Sequence, residues 1–310
     1  MGAADALSPG AAAALRRLVK ADDPLGAVRL ADDLLGDGEY GAARAVLDEA
    51  GLRWPADRRV AIRRLELHLR YKRFDEFDAV LASAIGHHPA SALVRMLEAR
   101  RHEAAHDFEA AVAAYRAAAG LRPDDAEPVV RGTRALRALG RNDEALAWAR
   151  EALARHEDSS LHAAAGYALI SQGRPDEAVE AFRRAHRLQP DWGPWLDDLA
   201  GALMLAERWK EAVRTAVRSL QHGARNERAW TVYAVGHQHL GDDRHAEQGY
   251  KNALKCARNV SRAQGNYGLW LSRQPGRELE AHRLLSAALE AHPEWEEVQQ
   301  AMQRLRGLAS

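Results

Sequence analysis

A small residue recurs in this chain about every 34 positions, and that recurrence limits the fold more than any other feature. Laid over the rest of the chain, the stretch "GRPDEAVEAFRRAHRLQPDW" (173–192) brings eight segments into phase. They start at Pro24, Arg58, Ala92, Ala126, Ser159, Gly193, Glu227 and Arg262. Their twentieth residues are Ala43, Phe77, Ala111, Ala145, Ala178, Ala212, Ala246 and Ala281. Their twenty-seventh are Ala50, Ala84, Ala118, Ala152, Ala185, Ser219, Ala253 and Ala288. Residues seven apart lie on one helix face, two turns along, and small ones there let a second helix come close. Leu47, Leu81, Tyr115, Phe182, Tyr250 and Leu285 stand between them and fill the groove that approach leaves. Gly38, Gly140, Gly173 and Gly241 mark a tight turn, where positive φ is cheap only for glycine. Pro55, Pro89, Pro123, Pro190 and Pro293 end five segments, since proline lacks a donor and clashes with the preceding turn. Each segment reads helix, turn, helix, stop, and a period of this length means stacked repeats.

Composition agrees. Alanine carries much of the apolar fraction while aromatics are only 6%, which favours helix over strand. The 44 basic and 44 acidic residues cancel, so total charge calls for neither nucleic acid nor an anionic membrane. The single Cys256 excludes an internal disulfide framework and a multi-cysteine metal site, and it fits a reducing compartment. "MGAADALSPGAAAALRRLVK" has no charged segment ahead of a continuous apolar core, and "MGAADA" lacks the Ser/Thr of a myristoylation motif. No apolar run reaches the length of a membrane span. The expectation is a cytoplasmic protein with no membrane contact. Abundant Ala and Arg with few Lys point to a GC-rich bacterial genome.

The pattern resembles the tetratricopeptide repeat (TPR), a family with small residues at positions eight, twenty and twenty-seven and often proline at thirty-two. Position eight reads Ala31, Leu65, Ala99, Thr133, Gly166, Ala200, Ala234 and Leu269, and Trp230 matches a frequent aromatic at position four. Phe77 and Ser219 depart from the small positions, and Glu157, Ala224 and Arg258 replace the proline. The resemblance covers about residues 24–295. It implies an all-α TPR superhelix, an α-solenoid of eight repeats (24–57, 58–91, 92–125, 126–158, 159–192, 193–226, 227–261, 262–295). Helices over 1–23 and 296–310 would cap the ends, which a repeat stack needs to cover its last apolar face. Ser8 followed by Pro9 reads as the start of the first cap. One continuous right-handed superhelix is expected.

TPR resemblance also implies that first helices line a concave groove, with positions two, five, six, nine, twelve and thirteen facing it. Copies two to four place Arg59, Arg63, Glu66, Arg70, Arg100, Glu103, Arg131, Arg134 and Arg137 there, and these three first helices hold eleven Arg against four Glu. Later copies place Tyr167 and Ser171; Asp197 and Asp198; Thr231, Gln238 and His239; then Asn266, Tyr267, Trp270 and Arg273. Guanidinium forks pair bidentately with carboxylate or phosphate. The expected function is therefore a non-catalytic scaffold or adaptor, holding an acidic or mixed peptide or helix of a protein partner. The residues expected to carry this are Arg63, Glu66, Arg100, Arg134, Arg137, Tyr167, Asp197, Gln238, Asn266 and Trp270. The plainer alternative has the arginines bridging helices through Glu66, Glu98, Glu103 or Glu127. The chaperone-tail carboxylate clamp and the asparagine ladder of other TPR proteins have no counterpart, because only Asn266 of five asparagines falls at a groove position.

Catalytic constellations are sparse, so no catalytic residue, cofactor or metal is expected. His237 and His239, two apart, point to different helix faces; a mixed site with His245 and Cys256 is the only version left. His102 and His106 share a face near Glu98 and Glu103, but His106 falls at the turn, and His87–His88 sit in the loop before Pro89. Cys256 has no fixed histidine partner, and no phosphate-cradling glycine loop occurs. Trp54, Trp192 and Trp295 fall at repeat junctions; Trp148, Trp195, Trp209 and Trp230 fit packing; Trp270, at position nine, is expected in the groove. Two further readings are a TPR-fold enzyme or enzyme subunit with a site inside the superhelix, and, behind it, an RNA binder. In the last, arginines would follow phosphates while Tyr167 or Trp270 stack bases, against which stand zero net charge and the Asp197/Asp198 pair. Neither the partner nor the oligomeric state is written in the sequence.

Overall fold

A computed structural model describes residues 7–223 and 226–308, and every regular element among them is a helix. Residues 1–6, read above for targeting signals, lie outside the described residues, as do Ala224 and the final two residues of the expected C-terminal cap. Contacts divide the chain into two compact units, Met1–His156 and Glu157–Ser310.

The first unit contains α1 (Pro9–Lys20), α2 (Pro24–Gly36), α3 (Tyr40–Arg53), α4 (Arg58–Arg70), α5 (Phe74–His87), α6 (Ala92–Ala104), α7 (Phe108–Leu121), α8 (Ala126–Ala138) and α9 (Asn142–Leu153). The second contains α10 (Ser159–Ser171), α11 (Pro175–Leu188), α12 (Pro194–Leu205), α13 (Trp209–His222), α14 (Glu227–His239), α15 (Asp243–Cys256), α16 (Val260–Leu271), α17 (Glu278–Ala291) and α18 (Glu296–Leu308). Within each unit helices pack on their neighbours in sequence, and α2, α4 and α6, like α10, α12 and α14, also touch in series. Each unit is thus a stack of helix pairs, an all-α solenoid. At the ends, α1 packs on α2 and α3, and α18 on α16 and α17.

Local chemistry explains where helices start. An Asp, Ser or Asn side chain accepts a backbone N–H at the start of α2, α4, α6, α8, α10, α14 and α16, satisfying donors the first turn leaves open. Ser8 does the same for α1, with Pro9 at the first helical position. Every residue at the twentieth and twenty-seventh positions is buried, including Phe77 and Ser219. Between paired helices, each of the eight turns holds a residue with positive φ: Gly38, Gly140, Gly173, Gly241 and Gly276, but also Lys72, His106 and Glu207. The fold imposes this conformation even where no glycine advertises it, at a cost of about 1–2 kcal/mol for an L side chain.

The last pair departs from the common frame. Its turn spans residues 272–277, whereas the other pairs use three residues. In α16, Ala263, Gly265, Tyr267, Gly268, Trp270 and Leu271 are buried, which matches the burial of α10 when the last copy starts at residue 261. A Cβ on Gly268 would sit 2.8 Å from Leu285 Cδ2, as one on Gly166 would from Phe182. Gly268, not Leu269, is therefore the close-packed position eight of this copy.

A buried histidine gives the first unit a pH-dependent weakness. His68 in α4 is buried, and its Nδ1 has no hydrogen-bond partner. Burial lowers its pKa below 6.5; Asp48 and Glu76 oppose the shift, while Arg64 and Arg44 add to it. As pH falls through about 6.5 the unfolded chain takes a proton that the folded one refuses, so stability drops toward acid. The slope approaches about 1.4 kcal/mol per pH unit for one such group. His68→Leu is expected to flatten the fall in urea midpoint between about pH 6.5 and 5. An unchanged pH dependence in that variant would assign the acid limb elsewhere.

Candidate functional site

In the second unit, first helices α10, α12, α14 and α16 line a cleft of about 960 Å³. Tyr167, Asp197 and Asn266 all face it, so three of the residues singled out by sequence converge there. Its two aspartates are already engaged. Asp197 accepts from the Asn226 amide at 2.9 Å on both oxygens and from the Ser219 hydroxyl. Asn226 also caps α14 through the Ala229 N–H, so the helix start holds the network. Asp198 is 3% exposed and lies 2.7 Å from Arg228 Nη1. Burial, then the Asp198 charge and a hydrogen bond to it, raise the Tyr167 hydroxyl pKa well above its usual value. What remains available is an apolar surface from Ile170, Met204 and Leu205, with Asn266, Arg258 and Arg262 at its edge. Both arginines are exposed and have no ion-pair partner among the described residues.

The first unit carries a smaller cleft, about 550 Å³, where the ends of α4 and α6 meet α8. Arg70, Lys72, Arg100 and Arg134 surround it with Glu103 and His106, over Leu69, Phe74 and Phe108. Arg134 is held by Glu103 at 2.9 Å, and the other oxygen of Glu103 accepts the Tyr115 hydroxyl at 2.7 Å. Arg70, Lys72 and Arg100 are exposed and form no ion pair among the described residues. This end of the first unit is net basic and accessible.

The remaining expectations divide. Arg63 is tied to Asp32 at 2.5 Å and to Glu66 at 2.9 Å, so that pair forms an internal bridge. Arg137 is half-buried and has a partner within the protein. Gln238 accepts the Tyr250 hydroxyl at 2.7 Å and does not line the large cleft. Trp270 needs correction: it is 4% exposed and packed beside Tyr250 and Tyr267. The one-residue shift of α16 moves it from position nine to position ten, a core position. The same shift moves Asn266 to position six, which still faces the cleft.

Sequence reading passed over Lys72, Arg228, Asn226, Arg258 and Arg262. One signal was present. Arg63 pairs with Asp32 and Arg134 with Glu103, each 31 residues back. Leu69 stands 31 before Arg100 and Thr231 stands 31 before Arg262, where no acid can answer.

No helix among the described residues is long and apolar enough to cross a membrane. Tetratricopeptide-repeat family models match residues 159–192 and 133–159. No curated protein matches the chain. Among solved structures, a tetratricopeptide repeat protein from Parabacteroides merdae superposes with TM-score 0.60 at 13% identity, over 79% of this chain and 97% of that one. PilF of Pseudomonas aeruginosa gives TM-score 0.56 at 18% identity, over 70% and 97%. The APC/C hetero-tetramer Cut9-Hcn1 gives 0.62 at 15%, over 93% of this chain and 56% of the matched one. At these identities the structural likenesses speak for the fold alone. The chain thus carries tetratricopeptide repeats by sequence over residues 133–192, and the helix pairs of both units share the tetratricopeptide-repeat fold.

Proposed function

We propose that this protein is a non-catalytic scaffold, built from eight repeats, whose first unit captures an acidic segment of a partner protein. The observation that carries the reading is the set of cations around the first cleft. Arg70, Lys72 and Arg100 stand exposed and form no ion pair among the described residues, beside the apolar Leu69, Phe74 and Phe108. A carboxylate arriving there gains charge-assisted hydrogen bonds without displacing an internal partner. Apolar side chains of the same segment cover the aromatic floor. Arg134 shapes the wall but is already held by Glu103, and Arg63 and Arg137 lie outside the cleft lining with partners of their own. The second cleft, with Arg258 and Arg262 beside apolar residues, holds a mixed segment by the same logic.

A fluorescein-labelled helical peptide rich in Glu and Leu is the probe. In anisotropy titrations, combined reversal of Arg70, Lys72 and Arg100 to Glu is expected to weaken binding at least about tenfold, since rim charges and their repulsive replacements both count. Arg304→Glu, on an exposed site of α18, should leave it unchanged. Equal affinity of the triple variant and the wild type would remove the first cleft as the site. Tighter binding of single-stranded RNA, with a steep linear fall against log salt, would favour phosphate tracking instead.

A further inference from the structure

His237, near the end of α14, and His245, in the first turn of α15, converge on Asp242, the residue that caps α15. As the sequence spacing implied, His239 faces away from His237 and lies flat against Trp209, with ring centroids 3.8 Å apart. The true neighbour is across the turn. One ring nitrogen of each histidine and one carboxylate oxygen all lie within 4.8 Å of one another.

The fold pre-positions this trio. Asp242 Oδ1 accepts the His245 backbone N–H at 3.2 Å as the helix cap, which directs Oδ2 to the imidazoles. Oδ2 is 2.6 Å from His245 Nδ1 and 3.3 Å from His237 Nδ1. The two rings stack, 4.9 Å between centroids and 27° between planes. Tyr233 walls the group, its ring 4.4 Å from His237 and 6.3 Å from His245.

Protein groups alone leave the trio incomplete. Two ring nitrogens share one oxygen, and His237 Nδ1 is buried without a directed hydrogen bond. Tetrahedral zinc, with bonds of about 2.0–2.1 Å, sets its donor atoms roughly 3.3 Å apart. The His237–Asp242 pair already has that separation. His245 must open by roughly 0.7 Å to reach it, and its side chain is 45% exposed, with solvent on its open side. Two imidazoles and a carboxylate suit zinc and its transition-metal neighbours, whereas calcium and magnesium take oxygen donors. We propose that His237, Asp242 and His245 form a binding site for one divalent ion of the zinc class, with water in the fourth position. The bound ion ties the end of α14 to the start of α15 and so stiffens this repeat.

The test uses the full chain, stripped of metal by chelation and dialysis. Calorimetric titration with zinc chloride should give one site per chain, and thermal unfolding should shift upward with added zinc because the ion binds only the folded site. His245→Ala changes a half-exposed side chain and is not expected to unfold the protein. It should weaken zinc binding about tenfold or more and abolish the thermal shift, and His237→Ala should do the same if circular dichroism shows it folded. Cobalt(II) should give the intense visible absorption of tetrahedral coordination in wild type and lose it in His245→Ala. Zinc binding of unchanged affinity in His245→Ala, no binding by the wild type, or equal affinity for magnesium would each overturn the assignment.

Discussion

Phe182→Ala is expected to cost the second unit about 3–5 kcal/mol of unfolding free energy, because truncating a buried aromatic loses its transfer energy and leaves a cavity. Phe182 is 1% exposed and fills the space between Ala178 and Ala185 on α11. Opposite it, α10 presents Gly166, where even a Cβ would stand 2.8 Å from Phe182 Cζ. Small and large faces interlock, so neighbours cannot close over the void without moving a helix. The same ring supports Tyr167 edge-on, 5.2 Å between centroids, at the wall of the large cleft. Urea unfolding should show a lowered midpoint at unchanged slope. The interlock also predicts a change of sign. Gly166→Ala alone overpacks the contact and should cost about 1–3 kcal/mol; in the Phe182→Ala background the clash is gone and the added methyl should be neutral or helpful. A loss below about 1 kcal/mol for Phe182→Ala, or additive effects of the two changes, would mean the helix pair is not packed this way.

What the sequence disclosed, and what it withheld, follows from the range of each interaction. Side-chain size at a fixed period is a local property, so the buried small residues of positions twenty and twenty-seven were legible from letters alone. Turn conformation was half legible. Glycine betrays positive φ at Gly140 or Gly173, but Lys72, His106 and Glu207 adopt it under compulsion from the helices they join. The longer turn of the last pair was invisible to a count of alanines, because both Ala281 and Ala288 lie after it and stay in phase. The first helix ahead of it slipped by one, and Trp270 went from groove to core. Charge was the least legible. Eleven arginines in three helices gave a basic bias, yet which of them remain available depends on partners about one repeat away. Arg63 and Arg134 found acids there, and Arg100 did not. Likewise the sequence placed His245 across the turn from His237 but passed over Asp242, whose second oxygen meets both rings only once the turn is built.

Removal of Arg228 is the second large effect, and it separates the price of a buried charge from the worth of a contact. Asp198 is 3% exposed, and its Oδ1 has no directed hydrogen bond, so the Arg228 guanidinium at 2.7 Å is what offsets its lost hydration. Breaking a fully buried pair from one side costs about 3–5 kcal/mol. Here the Arg228 side chain is 56% exposed, and water reaching the gap reduces the expected loss for Arg228→Met to about 2–3 kcal/mol. Asp198→Asn removes the charge yet still offers an acceptor to Tyr167, so it should cost only about 1 kcal/mol. Once the aspartate is gone, Arg228 has no charge left to neutralise, and the double variant should be little worse than Asp198→Asn alone. The cycle should therefore show about 1–3 kcal/mol of coupling. Additivity within about 0.5 kcal/mol would show that Asp198 is sheltered by other groups. In that case the guanidinium of Arg228 belongs with Arg258 and Arg262 among the groups free to meet a partner in the large cleft.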